Sequence, residues 1–119
     1  MKKFLSATIA ILIVITAALA SPAGDTAAYL TRTVTEPTVS SVGGEWTVIA
    51  LARGGMNTND DYFQKYYSAV QSYVREKSGV LNTKKHTEYS RVILALTSIG
   101  KDAQNICGYD LTAPLLDYD

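Results

Sequence analysis

The chain has 119 residues, 11 basic and 11 acidic side chains, and one cysteine. Balanced charge excludes the clustered positive surface that nucleic-acid or membrane-surface binding needs, and a lone cysteine excludes an intrachain disulfide. Lys2 and Lys3 open a basic n-region, Phe4 to Ala20 is apolar, and Ala18-Leu19-Ala20 offers the small-x-small pattern of a cleavage site. Residues 1–20 therefore read as a signal peptide, with an uncleaved anchor as the alternative because the run is near the lower limit for a span. The rest is expected to be exported, secreted or at the cell surface, with membrane contact only through the leader. Cleavage would leave about 100 residues, enough for one small domain but short for a helical repeat array.

Beyond the leader every element reads as a helix. Asp25 caps a weak, threonine-rich helix to Val34, ended by Glu36-Pro37, and Pro37–Gly44 reads as a loop. Glu45–Arg53 is the second helix, stopped by Gly54-Gly55. The third runs from Asn59 as cap, through Asp60 and Asp61, to a close at Gly79. Its apolar stripe is Phe63, Tyr66, Tyr67, Val70, Tyr73 and Val74, with the tyrosine hydroxyls expected at the solvent edge. The fourth runs from Thr87 as cap to Ile99, with Gly100 just past its end, and is apolar at every position from Val92 to Leu96. A fifth is expected from about Asp110 to Tyr118, with Pro114 in its first turn. Alternation of one-sided helices with helices apolar all round predicts an all-α, two-layer arrangement of outer and inner helices.

The inner helices echo each other. At an offset of 43 residues Glu45-Trp46-Thr47 falls on Glu88-Tyr89-Ser90, Ile49 on Val92, Leu51 on Leu94 and Ala52 on Ala95. Such a period suggests stacked helical hairpins. It also places the partner of the fifth helix past Asp119, so residues 21–119 are expected to be the incomplete N-terminal part of a larger domain. GGEWTVIALARGG (Gly43–Gly55), TEYSRVILALTSIGKD (Thr87–Asp102) and the linking YYSAVQSYVREKSGVL resemble the α/α-toroid repeats of exported Gram-positive proteins in the terpenoid cyclase and protein prenyltransferase superfamily, in its non-catalytic branch. The resemblance implies a barrel of inner helices ringed by outer ones, an architecture shared with animal cobalamin carriers.

The catalytic motifs of that superfamily are not met. Protonating cyclases need Asp-x-Asp-Asp, and here Thr58-Asn59-Asp60-Asp61 lacks the first acid. Magnesium-dependent ionisation needs Asp-Asp-x-x-Asp, and the fifth position is Gln64. Zinc needs three converging ligands, and the chain offers one histidine, His86, and one cysteine, Cys107, in a context that also breaks the thioester motif. Asp60 and Asp61 are better explained as helix-start acids, and Cys107 as a small buried residue. No catalytic residue, metal or cofactor is assigned. The candidate ligand contacts are Glu45, Trp46, Glu88 and Tyr89, aromatic and acidic groups at one mouth of the toroid, against capping glutamates and interlayer rings as the simpler account. The expected role is binding or structural, toward an unidentified small molecule or surface protein; the alternative is an enzyme with its catalytic residues beyond Asp119.

Overall fold

The computed structural model describes residues 22–117, and these contain five helices and no strand. The signal peptide reading concerns residues outside that range, as do the last two positions. The elements are α1 (Pro22–Thr33), α2 (Val42–Arg53), α3 (Asp61–Glu76), α4 (His86–Ser98) and α5 (Ala113–Leu116). None of these helices is long and apolar enough to cross a membrane.

Helix α1 starts three residues before the expected Asp25 cap, because Pro22 tolerates the first turn and Asp25 then serves the helix dipole from within it. It buries no residue. The hydroxyls of Thr26, Thr31 and Thr33 turn back onto the carbonyls of Pro22, Ala27 and Tyr29, which explains how threonines are accommodated on an exposed helix.

Helix α2 also starts early. Ser41 is its cap, the hydroxyl accepting the Gly44 N–H at 2.9 Å. A Cβ on Gly44 would lie 1.9 Å from the Thr38 carbonyl oxygen, so this glycine lets the 37–41 loop lie on the helix. In α3 the cap is Asp60 rather than Asn59: its carboxylate accepts the Tyr62 N–H at 2.9 Å. Helix α4 begins at His86, with Thr87 inside it and no side-chain cap. Asn82 does the ordering instead, accepting the N–H groups of Lys84 and Lys85, both at 2.9 Å. Helices α2, α3 and α4 end alike, with N–H groups of Met56, Gly79 and Lys101 returning to the carbonyls of Leu51, Val74 and Leu96.

The fifth helix is shorter than expected, four residues, because Asp110 to Thr112, expected to open it, form a turn, and a second turn precedes them. Ile106 and Tyr109 exchange both backbone hydrogen bonds across Cys107-Gly108, whose φ values of 53° and 87° make a tight left-handed turn. Asp110 then accepts the N–H and hydroxyl of Thr112. The segment buries Ala103, Ile106 and Leu111, while Cys107 itself is half-buried rather than enclosed.

The core is built from Val48 and Leu51 of α2, Phe63, Tyr66, Val70 and Val74 of α3, and Tyr89, Val92, Ala95 and Leu96 of α4. The α3 stripe lies where the periodicity placed it, with Lys65, Ser68, Ser72, Arg75 and Glu76 exposed on its other side. Helices α2 and α4 make the most extensive contact between helices. They are not covered on every face, however: Trp46 is 50 % and Leu94 52 % exposed, because the described elements enclose only one side of the pair. Burial in α2 and α4 also repeats at an offset of 44, pairing Val48 with Val92 and Leu51 with Ala95, rather than the 43 of the residue types. One residue is about 100° of helix rotation. The same letters therefore face different surroundings in the two helices.

Candidate functional site

The α1–α2 loop returns to the first turn of α2, and this places Glu45 under it. The Glu45 carboxylate accepts the backbone N–H of Ser40 and, at 2.9 Å, that of Ser41, tying the loop to the helix it precedes. Its side chain is fully shielded from solvent. Helix α4 brings Arg91 to it, Nε lying 3.9 Å from Oε2, and α3 brings the Tyr66 hydroxyl. Tyr66 Oη and Arg91 Nε are buried and neither makes a well-formed hydrogen bond within the described residues, although both face the carboxylate.

Glu88, one turn before Arg91 on α4, gathers a second set of partners. Its carboxylate accepts the Tyr73 hydroxyl from α3 and the Asn82 side-chain amide from the α3–α4 loop, each at 3.0 Å. The Ser40 hydroxyl lies near enough to help hold its pKa down. Ser40, held at φ 61°, gives its N–H to Glu45. The two glutamates of the sequence echo both feel the Arg91 charge.

Their surroundings act on them in opposite directions. Burial pushes the Glu45 carboxyl above the ordinary 4.5, and the N–H donors of Ser40 and Ser41 with the Arg91 charge only partly offset it. Burial also raises Glu88, but the nearby Ser40 hydroxyl, the hydrogen bonds from Asn82 and Tyr73, and the Arg91 charge outweigh it and hold Glu88 below 4.5. The Tyr66 phenol is driven far above its normal range, first by burial and then by the Glu45 charge. Tyr73 is raised by burial and by its bond to Glu88.

Of the four residues expected to share a ligand site, only Glu45 and Glu88 come together. Tyr89 is 2 % exposed, its ring in the core and its hydroxyl accepting the Leu81 N–H at 2.9 Å. Trp46 faces outward. The junction's other members, Ser40, Tyr66, Tyr73, Asn82 and Arg91, were not singled out as site residues from the sequence. Arg91 carried a readable signal, since three residues after Glu88 puts it on the same helix face. Tyr66 and Tyr73 were visible in the α3 stripe, but the Tyr73 hydroxyl goes to Glu88 rather than out to solvent, and Tyr62, outside that stripe, donates to the Val34 carbonyl at 2.6 Å. Nothing local marked Ser40.

Beside the junction runs an open groove of about 800 Å³ between residues 36–39 and the polar side of α3. Pro37 and Val39 form one wall, Ser68, Ala69 and Ser72 the other, and Tyr73 is shared with the Glu88 cluster. Among the described residues no three His, Cys, Asp or Glu side chains gather as a metal-binding group. What the arrangement can do is grip the loops on either side of it. Comparison with models of known families, with curated proteins and with solved structures finds no match.

Proposed function

We propose that the chain is an exported all-α module with a binding or structural role, organised as toroid-like helical hairpins in which α1–α2 and α3–α4 are successive units and α2 and α4 form the inner layer. The observation that carries this reading is the use made of the repeated glutamates. Both are engaged in clamping loops, Glu45 on the α1–α2 loop and Glu88 on the α3–α4 loop. A carboxylate committed to holding backbone and amide donors serves architecture first. The close contact of α2 with α4 supports their reading as an inner layer, and the outward-facing Trp46 and Leu94 give that layer an apolar surface for a ligand or protein partner.

Export is tested by producing the full chain in a Gram-positive host and weighing the protein recovered from the medium. A mass that begins at Ser21 supports the reading. Retention inside the cell with residues 1–20 attached would overturn it. The binding or structural role is tested by offering the same protein a prenyl diphosphate and a squalene-like triterpene. Turnover of either would replace it with the enzymatic reading.

A further inference from the structure

We propose that the groove along α3 is a self-association surface, on which two copies of this chain dock about a two-fold axis with the Lys84-Lys85 loop of each at the acidic end of the other's groove. Charge is divided along this one face. Asp61 and Glu76, both exposed, stand at opposite ends of α3 on the groove side, about 22 Å apart at 1.5 Å per residue. Glu36 belongs to the Asp61 end, because two residues before it the Val34 carbonyl accepts the hydroxyl of Tyr62, the neighbour of Asp61.

A basic loop adjoins the other end. Tyr73, on the groove wall, donates to Glu88, which also accepts the Asn82 amide, and Asn82 Oδ1 fixes the N–H groups of Lys84 and Lys85. The loop is thus a held turn that presents two exposed lysines. Among the described residues no ion pair engages Lys84, Lys85, Glu36 or Asp61. The acidic end lies too many turns along α3 for the lysines of the same chain to meet it.

A face that is acidic at one end and basic at the other is complementary to itself after a two-fold rotation. Rotation about the middle of the groove lays the two α3 helices antiparallel. It sets Lys84 and Lys85 of the second copy against Asp61 and Glu36 of the first, and the reverse at the other end. Glu76 of the second copy arrives there too, but with its own Lys77 beside it, so three acids meet three lysines. The centre permits close approach: Ser68, Ala69 and Ser72 are short, and Lys65 falls opposite Ser72 of the other copy, away from any like charge. Trp46 and Leu94 lie outside this groove, so the proposal stands whatever their side of α2 and α4 binds.

The experiment is sedimentation equilibrium on the full chain and on two sets of charge reversals, Lys84→Glu with Lys85→Glu, and Glu36→Lys with Asp61→Lys. The wild type is expected to be a dimer whose dissociation constant rises about tenfold or more between about 50 and about 500 mM salt. Each reversed protein alone should be monomeric, since its loop and groove then carry the same sign. Mixed in equal amounts, the two should form a one-to-one heterodimer, because each offers the charge that the other's reversal requires. All four side chains are exposed, and circular dichroism checks that both proteins keep the wild-type helix content. Should Asp61→Lys disturb the start of α3, the lysine set decides by itself. A monomeric wild type, a dimer indifferent to the lysine reversals, or folded reversed proteins that ignore each other on mixing would each refute the proposal.

Discussion

Replacing Tyr89 by phenylalanine isolates the contrast between the two members of the sequence echo. The Tyr89 ring lies in the core and would stay there in the variant; only the hydroxyl is lost. That hydroxyl accepts the backbone N–H of Leu81 at 2.9 Å, and Leu81 is itself 6 % exposed. The variant therefore leaves a buried N–H without an acceptor, which costs about 1–3 kcal/mol. In a domain of this size each kcal/mol moves the midpoint of thermal unfolding by about 4–8 °C. Thermal unfolding followed by circular dichroism should show a drop of at least about 4 °C for Tyr89→Phe. The comparator is Trp46→Phe at the echoed position, half exposed, where a change within about 0.5 kcal/mol is expected. If Tyr89→Phe unfolds like the wild type, or Trp46→Phe is the more damaging change, the burial pattern described for α2 and α4 is wrong.

Gly44→Ala puts a Cβ 1.9 Å from the Thr38 carbonyl oxygen, so the loop must move, at about 1–3 kcal/mol; urea unfolding midpoints measure it, and a neutral result would mean the loop does not rest on α2. Glu45, raised in the fold, contributes stability below its ordinary 4.5 that is lost as the pH rises through its folded value. Glu88, lowered, contributes stability above 4.5 that is lost as the pH falls through its folded value. Urea midpoints from pH 3 to 8 should accordingly flatten on the alkaline side in Glu45→Gln and on the acid side in Glu88→Gln, and the opposite assignment would refute the linkage. Tyr62, Tyr66 and Tyr73 are all raised, chiefly by burial, so tyrosinate absorbance should appear in two steps above pH 10, the second coinciding with unfolding; one smooth step would contradict their burial.

Helix content and the α3 stripe were legible because both rest on local chemistry. Phe63, Tyr66, Val70 and Val74 fall on one face by spacing alone, and α4 ends where Gly100 can take a left-handed φ. Helix starts were read less well, since a cap depends on which oxygen reaches an N–H: Asp60 rather than Asn59, Ser41 rather than the first charged residue of the apolar run. The short α5 escaped for a related reason. Asp110 accepts from the N–H and hydroxyl of Thr112, so the residues expected to open the helix form a turn before it instead.

The echo itself misled about environment while pointing to the right pair. Matching letters at an offset of 43 implies matching roles, but helices that pack face to face present opposite-facing arcs, and core contact selects the residues that point inward. Val48 and Val92 point inward, 44 apart, so residues aligned by letter sit about a third of a turn from equivalence. That rotation accounts for the asymmetry of the junction. It carries Glu45 fully under the loop and turns Trp46 outward, whereas on α4 the aromatic goes into the core and Glu88 is left at the edge, within reach of Tyr73 and Asn82. Two identical side chains then acquire opposite preferences for a proton, one from burial and the other from its donors. A strictly symmetric repeat would give two equal carboxylates, without this divergence.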